Sequence, residues 1–303
     1  MTPFRWKNCY ADVAASRHGI TVQSFFDDVI TPFDDVITPA IRALEEKIAA
    51  LGRSDNPGDA FAQADMKDVL QETKMAFSLS VQSIWERQIR GYLRRCAEEL
   101  RPGTGLAVQA AQGNWEKLCS LFLKLRGIRL EAFPSFAELE TLHLLGNACR
   151  HGDGPSVAKL AKRCPELWRV YPPMPFEDQL PDSGPPPVAL IDVPVDRLRM
   201  FVVAIAAFWD DAEYIYNESI ERKHPSLEEK LSRERIERSW RPKTVPGDGP
   251  SDGGGSAVPR GIGRAVAHSA AGPEQPAVGV SLRRAERVLR PALWRRQGNI
   301  RSE

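Results

Sequence analysis

The sequence predicts an all-α protein, an antiparallel helical bundle with a proline-rich loop and a disordered C-terminal tail. Three observations carry that prediction. Apolar residues recur at intervals of three and four through most of residues 39–240. Paired β-branched runs bounded by turns, the mark of a sheet, do not occur. Of the 24 prolines, seven fall within Pro172 to Pro187 and seven more after residue 240, so the breakers cluster between and beyond the periodic segments.

Taken in order, Ala11 to Ser16 reads as a weak strand at best. The heptad Phe26-Asp27-Asp28-Val29-Ile30-Thr31-Pro32 is repeated letter for letter at Phe33 to Pro39. One extra copy is a local duplication rather than a solenoid, and a proline closing each copy argues against a helix through both. Pro39 can open a helix with Ile41, Leu44, Ile48 and Leu51 on one stripe and Gly52 as its stop. From about Ala60 to Arg101, Met66, Val69, Leu70, Thr73, Phe77, Val81, Ile84, Trp85, Ile89, Leu93, Cys96 and Leu100 trace one long helix or two joined at a kink. Asn114 can cap a helix carrying Trp115, Leu118, Leu121, Phe122 and Leu125. Ser135 and Glu138 have capping-box spacing ahead of Leu139, Leu142, Leu145 and Cys149, with Gly152 as the stop.

A brief helix follows Ser156 as far as about Arg163, and the proline cluster 172–187 is then a loop or linker. Pro194 begins the most apolar helix, with Leu198, Phe201, Val202, Ile205, Phe208, Trp209, Ala212, Ile215, Tyr216 and Ile220 spread over so wide an arc that it belongs at the centre of the bundle. Ser226 with Glu229 opens a last, highly charged helix ending near Trp240. Trp85, Trp115, Trp209 and Trp240 fit either a core or an interface, with core favoured for all except Trp240.

The 303 residues, 42% hydrophobic and 27% charged, suit one large domain or two small ones and exclude a fibre or a wholly disordered chain. The division expected is a helical domain at 1–240 and a Gly/Pro-rich basic tail at 241–303. The tail has ten Gly and seven Pro, and its 11 Lys and Arg against 5 Asp and Glu give net +6. That leaves 30 against 35, net −5, for residues 1–240, although the whole chain stands at +1. Within the tail, Val280 to Arg296 has the pattern of a basic amphipathic helix broken at Pro291, and a solvated tail is the plainer reading. The five cysteines, Cys9, Cys96, Cys119, Cys149 and Cys164, never take C-x-x-C spacing and read as reduced thiols. The longest apolar run, Met200 to Trp209, falls short of the roughly 20 residues a bilayer requires. With no secretory signal visible, the expectation is a cytoplasmic protein without a membrane partner.

Three short motifs invite a chemical reading. Arg17-His18-Gly19-Ile20-Thr21 matches the Arg-His-Gly-x-Thr string of histidine phosphatases but lacks the apolar strand and α/β surroundings that chemistry needs. Gly261-Ile262-Gly263 begins like a dinucleotide loop but lacks its third glycine and a preceding strand, so no cofactor is expected. The third segment, Leu142 to Gly154, carries more. On a helix His143, Asn147 and His151 fall at i, i+4 and i+8 along one side, with Glu140 and Arg150 flanking and Leu142, Leu145 and Cys149 opposite. The negative end of the helix dipole favours a protonated imidazole at the last turn. Read as chemistry, the stripe supplies a proton donor with hydrogen-bonding support; read as structure, it is a solvated face with His151 as a C-terminal cap. Metal binding is disfavoured, because the H-E-x-x-H pattern is absent.

Asn147-Ala148-Cys149-Arg150-His151-Gly152 at the end of a bundle helix resembles the Arg-Asn-x-x-x-His signature of HEPN domains. The helix with Trp85-Glu86-Arg87 in mid-stripe is similar to the one that packs beside that motif. The resemblance covers about residues 60–170. It implies a helical bundle of the kind found in toxin, antiphage and RNA-processing proteins, with a metal-independent RNase site formed across a dimer. Residue by residue, His151 takes the place of the histidine and Asn147 that of the asparagine. The arginine's place is held by Gly146, so the cation facing the scissile phosphate must come from Arg150, Arg87 or Arg90, with Glu86 as the assisting polar residue. The function expected is therefore RNA-directed or defence-related, with a degenerate form of the site. A non-enzymatic interaction or dimerisation scaffold is the alternative.

Overall fold

A computed structural model describes residues 3–15, 38–169, 184–238 and 240–241. The chain divides into units 1–244 and 245–303, and every described residue belongs to the first. Outside the described residues lie the Arg17–Thr21 motif, positions 26–37 of the duplication, positions 170–183 in and before the proline cluster, the Gly261 motif and the basic island of the tail.

Among the described residues the protein is all-helical. α1 occupies residues 10–15, where the sequence suggested a weak strand. There follow α2 (Thr38–Leu51), α3 (Pro57–Leu100), α4 (Leu106–Gln112), α5 (Trp115–Arg126), α6 (Phe136–His151), α7 (Pro155–Arg163), α8 (Val195–Ser219) and α9 (Pro225–Glu237). A lone bridge between Trp168 and Ile191 is the extent of β-structure. No described helix is long and apolar enough to cross a membrane.

The long periodic segment is one helix. Asn56 accepts a hydrogen bond from Gly58 N at 3.1 Å and Pro57 supplies the first helical position, so α3 begins three residues before the apolar stripe suggests. Its buried face also departs from the pattern. Val69 is half exposed, while Gln71, Lys74, Ser78 and Gln82 are buried. The chain leaving the proline-rich segment lies against this part of α3 and presents polar groups to it. Gln71 donates to the Ala189 carbonyl at 2.5 Å and Lys74 meets Asp192 at 3.1 Å. Donors on α3 therefore satisfy acceptors that apolar residues would leave unpaired.

Two helix starts differ from their sequence signatures. Ser135 makes no side-chain cap, and Glu138 turns instead to Arg197 at 3.1 Å. At α9 the cap is His224, whose Nδ1 accepts from Ser226 N at 3.3 Å. Asn114 caps α5 as its sequence suggests, accepting from Lys117 N at 3.0 Å, and Gly127 closes the helix at φ 69°.

α8 runs through the middle of the bundle. Its Phe208 and Trp209 pack edge-on against Trp85 of α3, at 4.8 and 6.0 Å between ring centres, and Phe122 and Phe133 close the cluster. Trp240 lies at the rim, 5.1 Å from the Phe133 ring, and donates to the Ala132 carbonyl at 2.6 Å.

The N-terminal segment 3–15 is held to this body by a buried charge pair. Arg126 of α5 meets Asp12 of α1 at 2.5 Å, both side chains essentially free of solvent. Tyr92 donates to the same carboxylate at 2.9 Å, and the Arg126 guanidinium lies 3.8 Å from the Trp6 ring centre. Burial would push the Arg126 pKa down, but Tyr92 and Asp12 outweigh it and hold the pKa above its ordinary value. At the opposite end of the chain, Arg235 forks onto the fully buried Glu218 at 2.6 and 2.8 Å and fastens α9 to α8.

Candidate functional site

α3 and α6 come into tight contact where Gly146 faces Gln82. A Cβ built on Gly146 would stand 2.5 Å from Gln82 Cγ and 2.8 Å from its Cβ, so this position has room for glycine alone. The place of the motif arginine is thus a helix contact rather than an open site.

Close contact at Gly146 brings polar side chains from both helices into one chain of hydrogen bonds. Arg150 Nη2 donates to Gln82 Oε1 at 3.1 Å, and Gln82 Nε2 donates to Glu86 Oε2 at 2.5 Å. From the other side Arg90 donates to Glu86 Oε1 through Nε at 2.8 Å and Nη2 at 2.7 Å. Arg90 Nη1 reaches on to the Ala110 carbonyl in α4 at 3.0 Å. Both ends of the buried Gln82 amide are in use, which fixes its orientation between the two arginines. Burial works to raise the Glu86 pKa, but hydrogen bonds from Arg90 and Gln82 outweigh it and hold the carboxyl below its usual range.

Beside this chain, Asn147 Nδ2 lies 3.0 Å from His143 Nε2, and Trp115 of α5 stacks on the imidazole at 4.5 Å with 16° between ring planes. Burial is the main cause that pushes the His143 pKa down to about 4; Glu86 opposes it, and Arg90, Arg150 and Lys159 reinforce it. At neutral pH the ring is uncharged and Nε2 can accept from the Asn147 amide. His143 is thus a partly buried packing and hydrogen-bonding residue, whereas the stripe pattern placed it on a solvated or proton-donating face.

His151 stands apart from this network. It occupies the last turn of α6, exposed, and among the described residues its ring makes no hydrogen bond or ion pair. Arg150 is also exposed at its tip while tethered to Gln82. Of the residues singled out by sequence, Glu86, Arg90, Asn147 and Arg150 come together, Arg87 points to solvent, and His151 lies at the edge beside Arg150. Sequence reasoning missed Gln82 as the link and Trp115 as the stacking partner. A polar ladder at i, i+4, i+8 (Gln82, Glu86, Arg90) running beside the apolar stripe of α3 was the signal available for the first.

Chemically, the arrangement offers one oriented guanidinium on an exposed residue, followed in sequence by an exposed histidine and backed by an acid held ionised and a second arginine. Comparison with protein-family models, with curated proteins and with solved structures gives no match.

Proposed function

We propose that the protein is an RNA-directed helical bundle of the HEPN kind, with Arg150 as the phosphate-facing cation and His151 as its acid–base group. The observation that supports this reading is the hydrogen-bond chain Arg150–Gln82–Glu86–Arg90, which orients an exposed arginine one residue before an exposed histidine. It supports Arg150 as the substitute for an arginine at Gly146, because its guanidinium is held against Gln82, the residue that faces Gly146.

In this reading a backbone phosphate sits against Arg150, which stabilises the charge that builds on its oxygens during displacement. His151 takes the proton from the attacking 2'-hydroxyl, or returns one to the leaving 5'-oxygen. Glu86 and Arg90 keep Gln82, and through it Arg150, in place. A second copy of the chain across the end of α6 completes the site, as the family resemblance implies. The test is cleavage of mixed RNA in EDTA by the full-length protein. Arg150→Ala and His151→Ala are each expected to lower the rate at least about 100-fold. Equal residual cleavage by both variants and the parent overturns the reading.

One observation favours the scaffold alternative. Arg90 and Glu86 neutralise each other, and the helical body carries net −5, so Arg150 is the principal cation the site can offer to an anion. A dimer in sedimentation measurements with no cleavage and no RNA binding would select that alternative.

A further inference from the structure

Cys9 and Cys96 are 87 positions apart in sequence, yet their sulfurs stand 3.7 Å apart beside the Arg126–Asp12 pair. Cys9 is part-exposed in the segment that enters α1, while Cys96 is fully buried on α3 behind it. Around Cys9 the structure supplies what a reactive thiol requires. Arg126 Nη1 lies 3.8 Å from its sulfur as a counter-charge for the anion, while Asp12 Oδ2, 3.5 Å away, accepts a hydrogen bond from the thiol and favours its protonated form. Cys164 also has a guanidinium beside it, Arg197 Nη2 at 3.6 Å, but none of the remaining cysteines has a thiol neighbour among the described residues.

We propose that Cys9 and Cys96 form a peroxide-sensitive dithiol, in which Cys9 is the attacking and Cys96 the resolving thiol. The Cys9 sulfur attacks one oxygen of hydrogen peroxide. An S–O bond forms, the O–O bond breaks, and the leaving hydroxide departs as water with the proton released by Cys9. This leaves a sulfenic acid on Cys9. The Cys96 sulfur then attacks the Cys9 sulfur, the S–O bond breaks, and a second water leaves with the Cys96 proton. Each sulfur gives up one electron and the peroxide takes two, so no other reagent is needed. Closing 3.7 Å to a bond of about 2 Å asks for less than about 2 Å of movement, shared by two side chains.

The contrast among the thiols agrees with these roles. Contact with Cys96 is the largest influence on Cys9 and, with Arg126, lowers its pKa, against the opposing effects of burial and of the Asp12 and Glu99 carboxylates. Contact with Cys9, with burial, raises that of Cys96, so the inner thiol keeps its proton until it is called on. Burial pushes Cys119 up to about 12 and Cys149 up to about 11, and raises Cys164 as well, leaving all three poor nucleophiles.

The test uses the full-length reduced protein, treated with hydrogen peroxide, quenched with N-ethylmaleimide and mapped by peptide mass spectrometry. The expected result is a Cys9–Cys96 linked peptide, lighter by two hydrogens and reversed by dithiothreitol, while Cys119, Cys149 and Cys164 still take the alkylating reagent. In Cys96→Ala, Cys9 is expected to accumulate as a sulfenic acid trapped by dimedone. Should that variant fail to fold, Cys9→Ala serves, with the linked peptide lost and Cys96 left alkylatable on unfolding. Oxidation of all five cysteines at one rate, or persistence of alkylatable Cys9 and Cys96 while the others oxidise, overturns the proposal.

Discussion

Gly146 and Gln82 define the crossing of α6 and α3, since a single methyl group on the glycine would stand 2.5 Å from the glutamine side chain. Alanine is the better helix former by about 1 kcal/mol, but here it must displace a buried residue hydrogen-bonded on both sides. Gly146→Ala is therefore expected to destabilise the protein by roughly 1–2 kcal/mol net, read from the urea midpoint. It should also separate Arg150 from Gln82. Gly146→Arg, which writes an arginine into this contact, is expected to unfold the bundle.

Acid sensitivity follows from His143. Its folded-state pKa of about 4 lies below the ordinary histidine value of about 6.5, so the unfolded chain binds the proton more tightly. This contribution is fully present above about pH 6.5, fades as the pH falls toward 4, and changes no further below that. Allowing for a partly exposed ring, the loss amounts to roughly 2–3 kcal/mol. Glu86, held below its usual range, loses its share only at lower pH, as its folded pKa is crossed. Urea unfolding at stepped pH should therefore slope between pH 6.5 and 4.5 in the parent and flatten in His143→Gln.

Removing the buried guanidinium tests how the N-terminal segment is held. Arg126→Met keeps an apolar stem beneath Trp6 but leaves the Asp12 carboxylate, 1% exposed, without its counter-charge. The expected cost is about 3–5 kcal/mol. Adding Asp12→Asn should recover much of it, because the penalty belongs to the stranded charge. A double variant no more stable than Arg126→Met would place the cost in lost packing instead.

If the protein acts on RNA as proposed, affinity and chemistry should separate by deletion. The segment 241–303 carries +6 and the remainder −5, so removing it is expected to weaken RNA binding and flatten its dependence on salt. Arg150→Ala, one phosphate contact, should change the salt slope by only about one unit while it removes cleavage. Filter binding across a salt series distinguishes the two.

What was legible in the sequence and what was not have separate causes. Helix existence, the cap at Asn114 and the stop at Gly152 could be read from local patterns, because such residues act within one turn of where they sit; the buried acids of α8, Asp211 and Glu218, could not. The polar inner face of α3 could not, because Gln71 and Lys74 are buried only by virtue of Ala189 and Asp192, more than a hundred residues away. The same holds for the candidate site. Asn147, Arg150 and His151 share one local motif, but that Arg150 is oriented through Gln82 depends on which face of α3 meets α6. The capping box at Ser135 failed for a related reason, since Arg197 from α8 competes for Glu138.

The uneven burial of α3 has a consequence for how the molecule moves. Its 44 residues extend for about 66 Å, yet every fully buried residue lies at Gln71 or beyond, and over the first four turns the helix is accompanied by α2, in which Ile41 alone is buried. One continuous backbone ladder therefore joins two regions of different cohesion. Protection from amide exchange should fall off sharply ahead of Gln71, with the α2–α3 hairpin opening and closing many times for each opening of the segment that carries Gln82, Glu86 and Arg90.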